Sequence, residues 1–311
     1  MKALFHPKYW LTWILMGMWA LISQLPLPVL RGIARCMAFT MRWLAPKRSF
    51  IAYRNLSLCF PEKSPEELRA MVRKNMYHTW MGMFETGMSW FWSKRRLQKL
   101  FVIEGAEQVA GLESGALLLG MHFTTLEMTG VAVNSTVSRV DMMYRPHKNP
   151  VYDFIQTRQR TRHHEACRLI DRADVRGTLR RLREGRVVWY APDQDYGIKQ
   201  GVFADFFGIP AATITATSRF AKVGRVPVIP ILDHRGNDGR YYIKILPPLA
   251  DFPSGDDVAD AERVNAMIES AVREYPEQYL WVHRRFKTRP PGERGVYGKL
   301  SKKVVPKPSS S

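Results

Sequence analysis

Between residues 116 and 246 short apolar runs alternate with helical segments, and this alternation restricts the fold more than any other feature of the sequence. The runs at 116–120, 137–144, 186–191, 226–232 and 241–246 read as strands, with helices at 126–133, 151–162, 175–183 and 213–223 between them and a last helix at 256–275. Strands that are apolar throughout need cover on both faces, so the reading is an α/β sandwich around a largely buried, mixed central sheet. RGNDGR at 235–240 has the composition of a hairpin turn between the last two strands.

Two regions precede the alternation. YWLTWILMGMWALI at 9–22 is uncharged, with Lys2 and Lys8 before it and Arg31, Arg35 and Arg42 after it. A helix crossing a bilayer needs about 20 apolar residues. The run is therefore marginal: it either spans, or lies half inserted with Trp10, Trp13 and Trp19 at the interface. QLPLP at 24–28 makes a poor signal-peptide cleavage site. In 29–44, Leu30, Ile33, Met37, Met41 and Leu44 recur at helical spacing beside arginines, as in a basic amphipathic helix suited to anionic headgroups. SPEE at 64–67 starts another helix, with Ser64 as cap, Pro65 in the first position and acids in the first turn. It runs to about Met76, and a second helical stretch covers 80–92. The expected division is a membrane anchor over 1–30, a helical region over 31–100, an α/β domain over 101–290 and a basic disordered tail over 291–311.

Charge narrows the partners. Lys and Arg number 47 against 28 Asp and Glu, a formal net charge of +19, so the chain expects something polyanionic. Aromatics sit mainly in apolar runs rather than interleaved with Lys and Arg, which argues against nucleic acid. An anionic lipid surface, a phosphorylated substrate or an acidic protein remain. Cys36, Cys59 and Cys167 have neither disulfide nor zinc spacing and read as buried small hydrophobes in a reducing compartment. The sequence has no G-x-S-x-G, G-x-G-x-x-G, P-loop or H-E-x-x-H pattern.

Polar residues gather instead at the expected carboxyl ends of the strands, where open α/β sheets hold ligands. GMHFTTLE at 120–127 ends a strand near His122 and starts a helix soon after. Within one helix His122 and Glu127 would stand about 140° apart. With His122 on the loop and Glu127 in the first helical turn, the carboxylate can reach back and orient the imidazole as a general base. TTLE at 124–127 fits a capping box equally well, and spacing does not choose between the two. Tyr144 and Arg145 sit at another strand end. Arg158, Arg160 and Arg162 follow on a helix that can turn only one or two of them toward a site, where guanidinium donors suit phosphate. Asp193 and Asp195 could ligate a metal, but the surplus of arginine favours ion pairing, with Asp193 holding a site arginine in place. Arg284 and Arg285, with Asp195, are further candidate anion-site contacts.

Together these stretches are similar to one family. The His-x4-Glu of GMHFTTLE, YRP at 144–146, WYAPDQDYG at 189–197, HRRFKTRP at 283–290, HPKYWLTW at 6–13 and NLSLCFPE at 55–62 resemble, in order and over about residues 5–290, the late acyltransferases of lipid A biosynthesis in Gram-negative bacteria. The resemblance implies an acyltransferase-type αβα sandwich with an N-terminal membrane-anchoring helix. It implies transfer of a lauroyl, myristoyl or palmitoleoyl chain from acyl carrier protein to the 3-hydroxyl of a hydroxyacyl group on a Kdo-bearing lipid A precursor. It also implies no metal or bound cofactor, and a seat among inner-membrane lipids on the cytoplasmic face. It carries a catalytic dyad to His122 and Glu127, an essential arginine to Arg160 and a functional aspartate to Asp193, with Tyr144 and Arg145 as substrate or oxyanion contacts. At 162–165 this chain reads RHHE where the family tends to read RSNK, a departure that bears on local substrate contacts. A glycerophospholipid acyltransferase with the same His-x4-acid spacing is the alternative enzyme, and a basic membrane-binding protein the non-enzymatic alternative.

Overall fold

The computed structural model describes residues 2–110, 112 and 114–298, the side chains at 2 and 41–44 excepted. Among these, five α-helices precede the sheet: α1 (Trp10–Ile22), α2 (Leu27–Leu44), α3 (Pro46–Cys59), α4 (Pro65–Phe91) and α5 (Lys94–Gln98). α4 starts as expected: the Ser64 hydroxyl accepts from the Glu67 N–H and the Glu67 carboxylate accepts from the Ser64 N–H. It then runs for 27 residues without the expected break. Its two glycines are points where other segments press on the helix backbone. A Cβ at Gly82 would lie 2.5 Å from the Thr124 carbonyl oxygen, and one at Gly87 would lie 1.9 Å from the Ser23 hydroxyl.

From residue 101 the alternation appears as β1 (Phe101–Glu104), β2 (Ala116–Leu119), α6 (Leu126–Thr136), β3 (Val140–Tyr144), α7 (Pro150–Thr161), β4 (Arg168–Asp171), α8 (Val175–Arg183), β5 (Val187–Tyr190), β6 (Gly201–Phe206), β7 (Ile209–Ile214), α9 (Ala216–Gly224), β8 (Val228–Arg235), β9 (Tyr241–Ile245) and α10 (Asp257–Glu274). Seven strands form one sheet in the order β1-β9-β8-β2-β5-β3-β4, and β6 with β7 makes a separate hairpin. Strands β8, β2, β5, β3 and β4 are mutually parallel; β9 folds back antiparallel on β8 through the 235–240 turn, so the sheet is mixed. β1 and β4 occupy the two edges and are only partly buried, which is why no apolar run announces them.

The central strands show why they read as continuous apolar runs. Leu117 and Leu119 of β2, with Val188 and Tyr190 of β5, enter a core closed by α3, α9 and α10. Ala116 and Leu118, with Val187 and Trp189, enter a second core on the other face, closed by α2, α4 and α6. Both faces are covered, as residues that alternate between two apolar layers require.

The N-terminal region differs from expectation. Among the described residues no helix is long and apolar enough to cross a membrane. The 13 residues of α1 rise only about 20 Å. Met16 is buried among Trp90, Val151 and Ile155, with Trp13 and Trp19 packed beside it; of the three tryptophans expected at an interface, Trp10 alone is exposed. The outer face of α1 is an apolar stripe: Leu11, Ile14, Leu15, Met18 and Leu21 are 52–73% exposed. α2 has the expected spacing, but Leu30, Ile33 and Met37 pack into the second core rather than facing outward. Cys36 is exposed, unlike the buried Cys59 and Cys167. At the other end, Tyr297 is buried and its hydroxyl donates to Asn55 while accepting from the Phe286 N–H, so 291–298 is fastened to the domain. The remainder of the expected tail, 299–311, lies outside the described residues.

Candidate active site

Parallel register decides what meets beyond the strand ends. Leu119 of β2 pairs with Tyr190 of β5, and three residues further along each chain stand His122 and Asp193. Asp193 Oδ1 lies 2.5 Å from His122 Nδ1, and Asp193 Oδ2 accepts the His122 backbone N–H at 2.8 Å. An ionised carboxylate only accepts, so Nδ1 carries the proton and the Nε2 lone pair is left open. Burial pushes the Asp193 carboxyl up, but the His122 imidazole and the two bonds from His122 outweigh it and hold the group below its ordinary value. Asp193 therefore supports the histidine, not the arginine expected from the sequence.

The loop carrying His122 is fixed from several sides. The Leu280 N–H donates to the His122 carbonyl at 3.0 Å, and the Thr124 N–H donates to the Gln278 carbonyl at 2.8 Å. The Thr125 hydroxyl donates to the buried carboxylate of Asp233 on β8. Gly120 allows the chain to turn here, because a Cβ would stand 2.3 Å from the Trp189 indole nitrogen.

Glu127 takes a different partner from either one expected. Thr125, the residue before α6, makes no side-chain cap, and Glu127 closes no capping box. Its first-turn position points the carboxylate toward α4 and α7 instead. There Oε2 accepts from Trp90 Nε1 at 3.2 Å and from Arg160 Nε at 3.1 Å, while Arg160 Nη2 donates to Oε1. Burial lowers the Arg160 pKa, but the Glu127 charge and hydrogen bonds more than reverse this and raise it. In place of one His–Glu dyad, the structure holds two pairs side by side: His122 with Asp193, and Arg160 with Glu127. The Trp90 indole that bonds Glu127 also packs edge-on against Trp19 of α1, ring centroids 5.2 Å apart.

Both pairs open on a cavity of about 710 Å³. His122, Glu127 and Arg160 line it together with Tyr144 and Arg145 from the end of β3. Leu126, Val131, Met142, Trp189 and Phe220 give it apolar walls, and Gly130 widens it, since a Cβ there would lie 2.9 Å from the Trp189 ring. An apolar body with a few convergent polar groups suits a substrate that is part lipid. Among the described residues no group of three or more His, Cys, Asp and Glu is disposed to hold a metal ion.

The remaining candidates lie elsewhere. Asp195 is buried and accepts from the Thr288 N–H (2.6 Å), the Thr288 hydroxyl (2.9 Å) and the Gly197 N–H (2.9 Å), which fastens the loop after β5 to the C-terminal segment. Arg285 is 2% exposed and donates to the Ala212 carbonyl, Thr213 and Asn265, so it braces the core rather than contacting an anion. Arg284 is exposed, stands over the Tyr297 ring and does not line the cavity. In the RHHE stretch, Arg162 bonds the Trp90 carbonyl and His163 the Ser89 carbonyl, so this departure serves the contact between α7 and α4. Sequence reasoning missed Trp90, Trp189, Arg172, Tyr196 and Lys199 as cavity residues. Arg172 follows a short edge strand that went unrecognised, and the others sat in runs that read as packing or loop.

The family model for bacterial lipid A biosynthesis acyltransferases matches residues 1–288. The lipid A biosynthesis lauroyltransferase of Escherichia coli K12 is 40% identical over 300 residues, covering 95% of this chain and 97% of that protein. The palmitoleoyltransferase of the same organism is 38% identical over 94% of this chain and 96% of that protein, and its myristoyltransferase 32% identical over 95% and 93%. Among solved structures, a 1-acyl-sn-glycerophosphate acyltransferase from Thermotoga maritima has a TM-score of 0.39 at 14% identity over 79% of this chain and 95% of that one, a likeness too weak to carry an argument.

Proposed function

The chain belongs to the bacterial lipid A biosynthesis acyltransferases, and from that premise we propose that it moves a fatty acyl chain from acyl carrier protein to a 3-hydroxyacyl hydroxyl of a Kdo-bearing lipid A precursor, with His122 as the base. The observation that carries this reading is an imidazole whose Nδ1 is tied to a buried carboxylate and which lines a largely apolar cavity carrying several cations. Nε2 of His122 takes the proton of the acceptor hydroxyl as that oxygen attacks the thioester carbonyl. When the carbon–sulfur bond breaks, His122 returns the proton to the departing thiolate. The products are the new ester and the free carrier thiol. Asp193 fixes the tautomer and steadies the imidazolium between the two transfers. Glu127 acts one step back: its carboxylate holds Arg160 at the cavity wall, and Arg160 supplies positive potential where the oxyanion develops.

The reaction takes place at the cytoplasmic face of the inner membrane. What supports this is the exposed apolar stripe of α1, which suits a helix lying in the headgroup region rather than crossing the bilayer. The excess of positive charge suits anionic lipid on one side and an acidic carrier protein on the other.

General-base assistance is worth about 10²–10⁴ in rate. His122→Ala and Asp193→Asn should each lower kcat by about that factor while leaving vesicle binding unchanged. The check is single-turnover transfer from acyl carrier protein to a purified lipid A precursor, followed by mass spectrometry. Near-normal transfer by His122→Ala, or transfer by the wild type to lysophospholipid alone, would sink this reading.

A further inference from the structure

The cavity rim carries three cations that have no carboxylate partner among the described residues. Tyr144 of β3 pairs with Asp171 of β4 across the sheet, so Arg145 and Arg172 each come one residue after that pair. The Arg172 N–H donates to the Tyr144 carbonyl at 2.9 Å, which keeps the two arginines on adjoining strand ends. Lys199 comes from the loop after β5, the strand next to β3 on its other side. The same loop carries Tyr196, whose ring lies 5.3 Å from the Arg172 guanidinium carbon. Arg145, Arg172 and Lys199 all line the cavity, are exposed at its mouth, and make no ion pair among the described residues.

The acids near the site are otherwise engaged. Glu127 is bonded to Arg160, Asp193 to His122, and Asp195 to Thr288. Asp171 accepts the Ala173 N–H at 2.9 Å. Arg160 already shares its charge with Glu127, whereas the rim cations have no ion-pair partner among the described residues. A mobile phosphate ester meets them within the range over which charges act in salt solution, about 10 Å at 0.1 M. Arginine adds a planar fork that matches two phosphate oxygens, and stacking on Tyr196 restrains the fork.

We propose that Arg145, Arg172 and Lys199 form a phosphate subsite at the cavity mouth, separate from the Arg160–Glu127 pair, which grips a phosphate ester of one of the two substrates and so sets that substrate's register against His122. The idea rests on the acyltransferase reading only in its choice of substrates: a headgroup phosphate of the acceptor lipid, or the phosphodiester of the donor's pantetheine arm.

Calorimetric binding of inorganic pyrophosphate to the full chain tests the subsite without any acyl transfer. Arg172→Ala and Lys199→Ala should each weaken binding by about ten-fold, the equivalent of about 1.4 kcal/mol, and Arg172→Lys should fall between Arg172→Ala and the wild type. Lys222→Ala, at an exposed cation outside the cavity, should bind as the wild type does. Equal loss in Lys222→Ala would mean diffuse attraction to a basic protein and would overturn the proposal, as would unchanged binding in Arg172→Ala and Lys199→Ala. Steady-state transfer then identifies the source. A rise in KM for the lipid acceptor with little change in kcat assigns the acceptor phosphate, and a rise in KM for the carrier-protein donor assigns the pantetheine phosphodiester. Pyrophosphate binding weakened by Arg172→Ala and Lys199→Ala, in a protein whose wild type acylates no lipid A precursor, would keep the subsite and remove the functional reading.

Discussion

At the scale of single residues, the site is a matter of which acid faces which base. His122, Glu127 and Asp193 could be picked from the sequence as strand-end or helix-start polar groups, because each follows an apolar run or opens a helix; Arg160, in the last turn of α7, was singled out only by the family resemblance. Their partners could not be picked in this way. The His122–Asp193 pair depends on β5 lying beside β2 in a register that puts both three residues past a common rung, and spacing within one chain segment carries no such information. The local motif, five residues from His122 to Glu127, pointed to the wrong couple because a first-turn carboxylate on α6 is directed at α4 and α7. The Arg160–Glu127 pair has a testable energetic signature, since its side chains are only 19% and 16% exposed. Removing one partner of a largely buried ion pair costs about 3–5 kcal/mol, because the other charge is left unpaired. Glu127→Gln and Arg160→Gln should each lower the thermal midpoint markedly, and the double variant should lose much less than the sum of the two. Additive losses in thermal scans would show that the pair is not coupled.

Among the elements, the helices and the central strands were legible because they carry their own periodicity and caps. The observed α8 coincides with the expected helix at 175–183, and α7 and α10 differ from expectation by one residue at each end. The unrecognised pieces were the helices α3 and α5, the edge strands β1 and β4, and the β6–β7 hairpin. Each is too short or too polar to show a pattern, and only its neighbours hold it in place. α1 shows where composition alone misleads: an uncharged run looked long enough to consider as a span, but the helix stops at 13 residues and turns one side to the domain. Its other side makes a prediction. Fully burying a leucine-sized side chain is worth about 1.5–3 kcal/mol. Leu11→Ser combined with Leu15→Ser should therefore reduce partition onto anionic vesicles by at least about 100-fold, as read by flotation, while the thermal midpoint stays put because both residues are exposed in the fold. Vesicle binding that survives the double change would rule out α1 as the contact.

For the molecule as a whole, stability should carry the mark of Asp233, a buried acid on β8 that links the central sheet to the His122 loop. Burial raises its pKa from the ordinary 3.8 to about 6, although the Thr125 hydroxyl pulls the other way. A carboxyl with a raised native pKa keeps its proton in the folded state while the unfolded chain releases it. The fold then binds more protons than the unfolded chain between about pH 4 and 6, so its stability falls as pH rises through that window and stays lower above it. Asp233→Asn removes the titration and retains an acceptor for Thr125. The difference in melting temperature, variant minus wild type, should climb from pH 4 to 6 and then level off. A difference that stays flat across the same range would mean that Asp233 is ionised at its ordinary pKa in the fold.

Trp90 belongs to two neighbourhoods at once: one edge of its indole meets Trp19 of α1, and its nitrogen holds Glu127. The helix with the exposed apolar stripe and the ion pair at the cavity wall thus share a single hinge pin. Solubilising agents are then not neutral handling reagents for this enzyme. A micelle that pries α1 off its seat also slackens the grip on Glu127, and turnover measured in it describes a loosened machine.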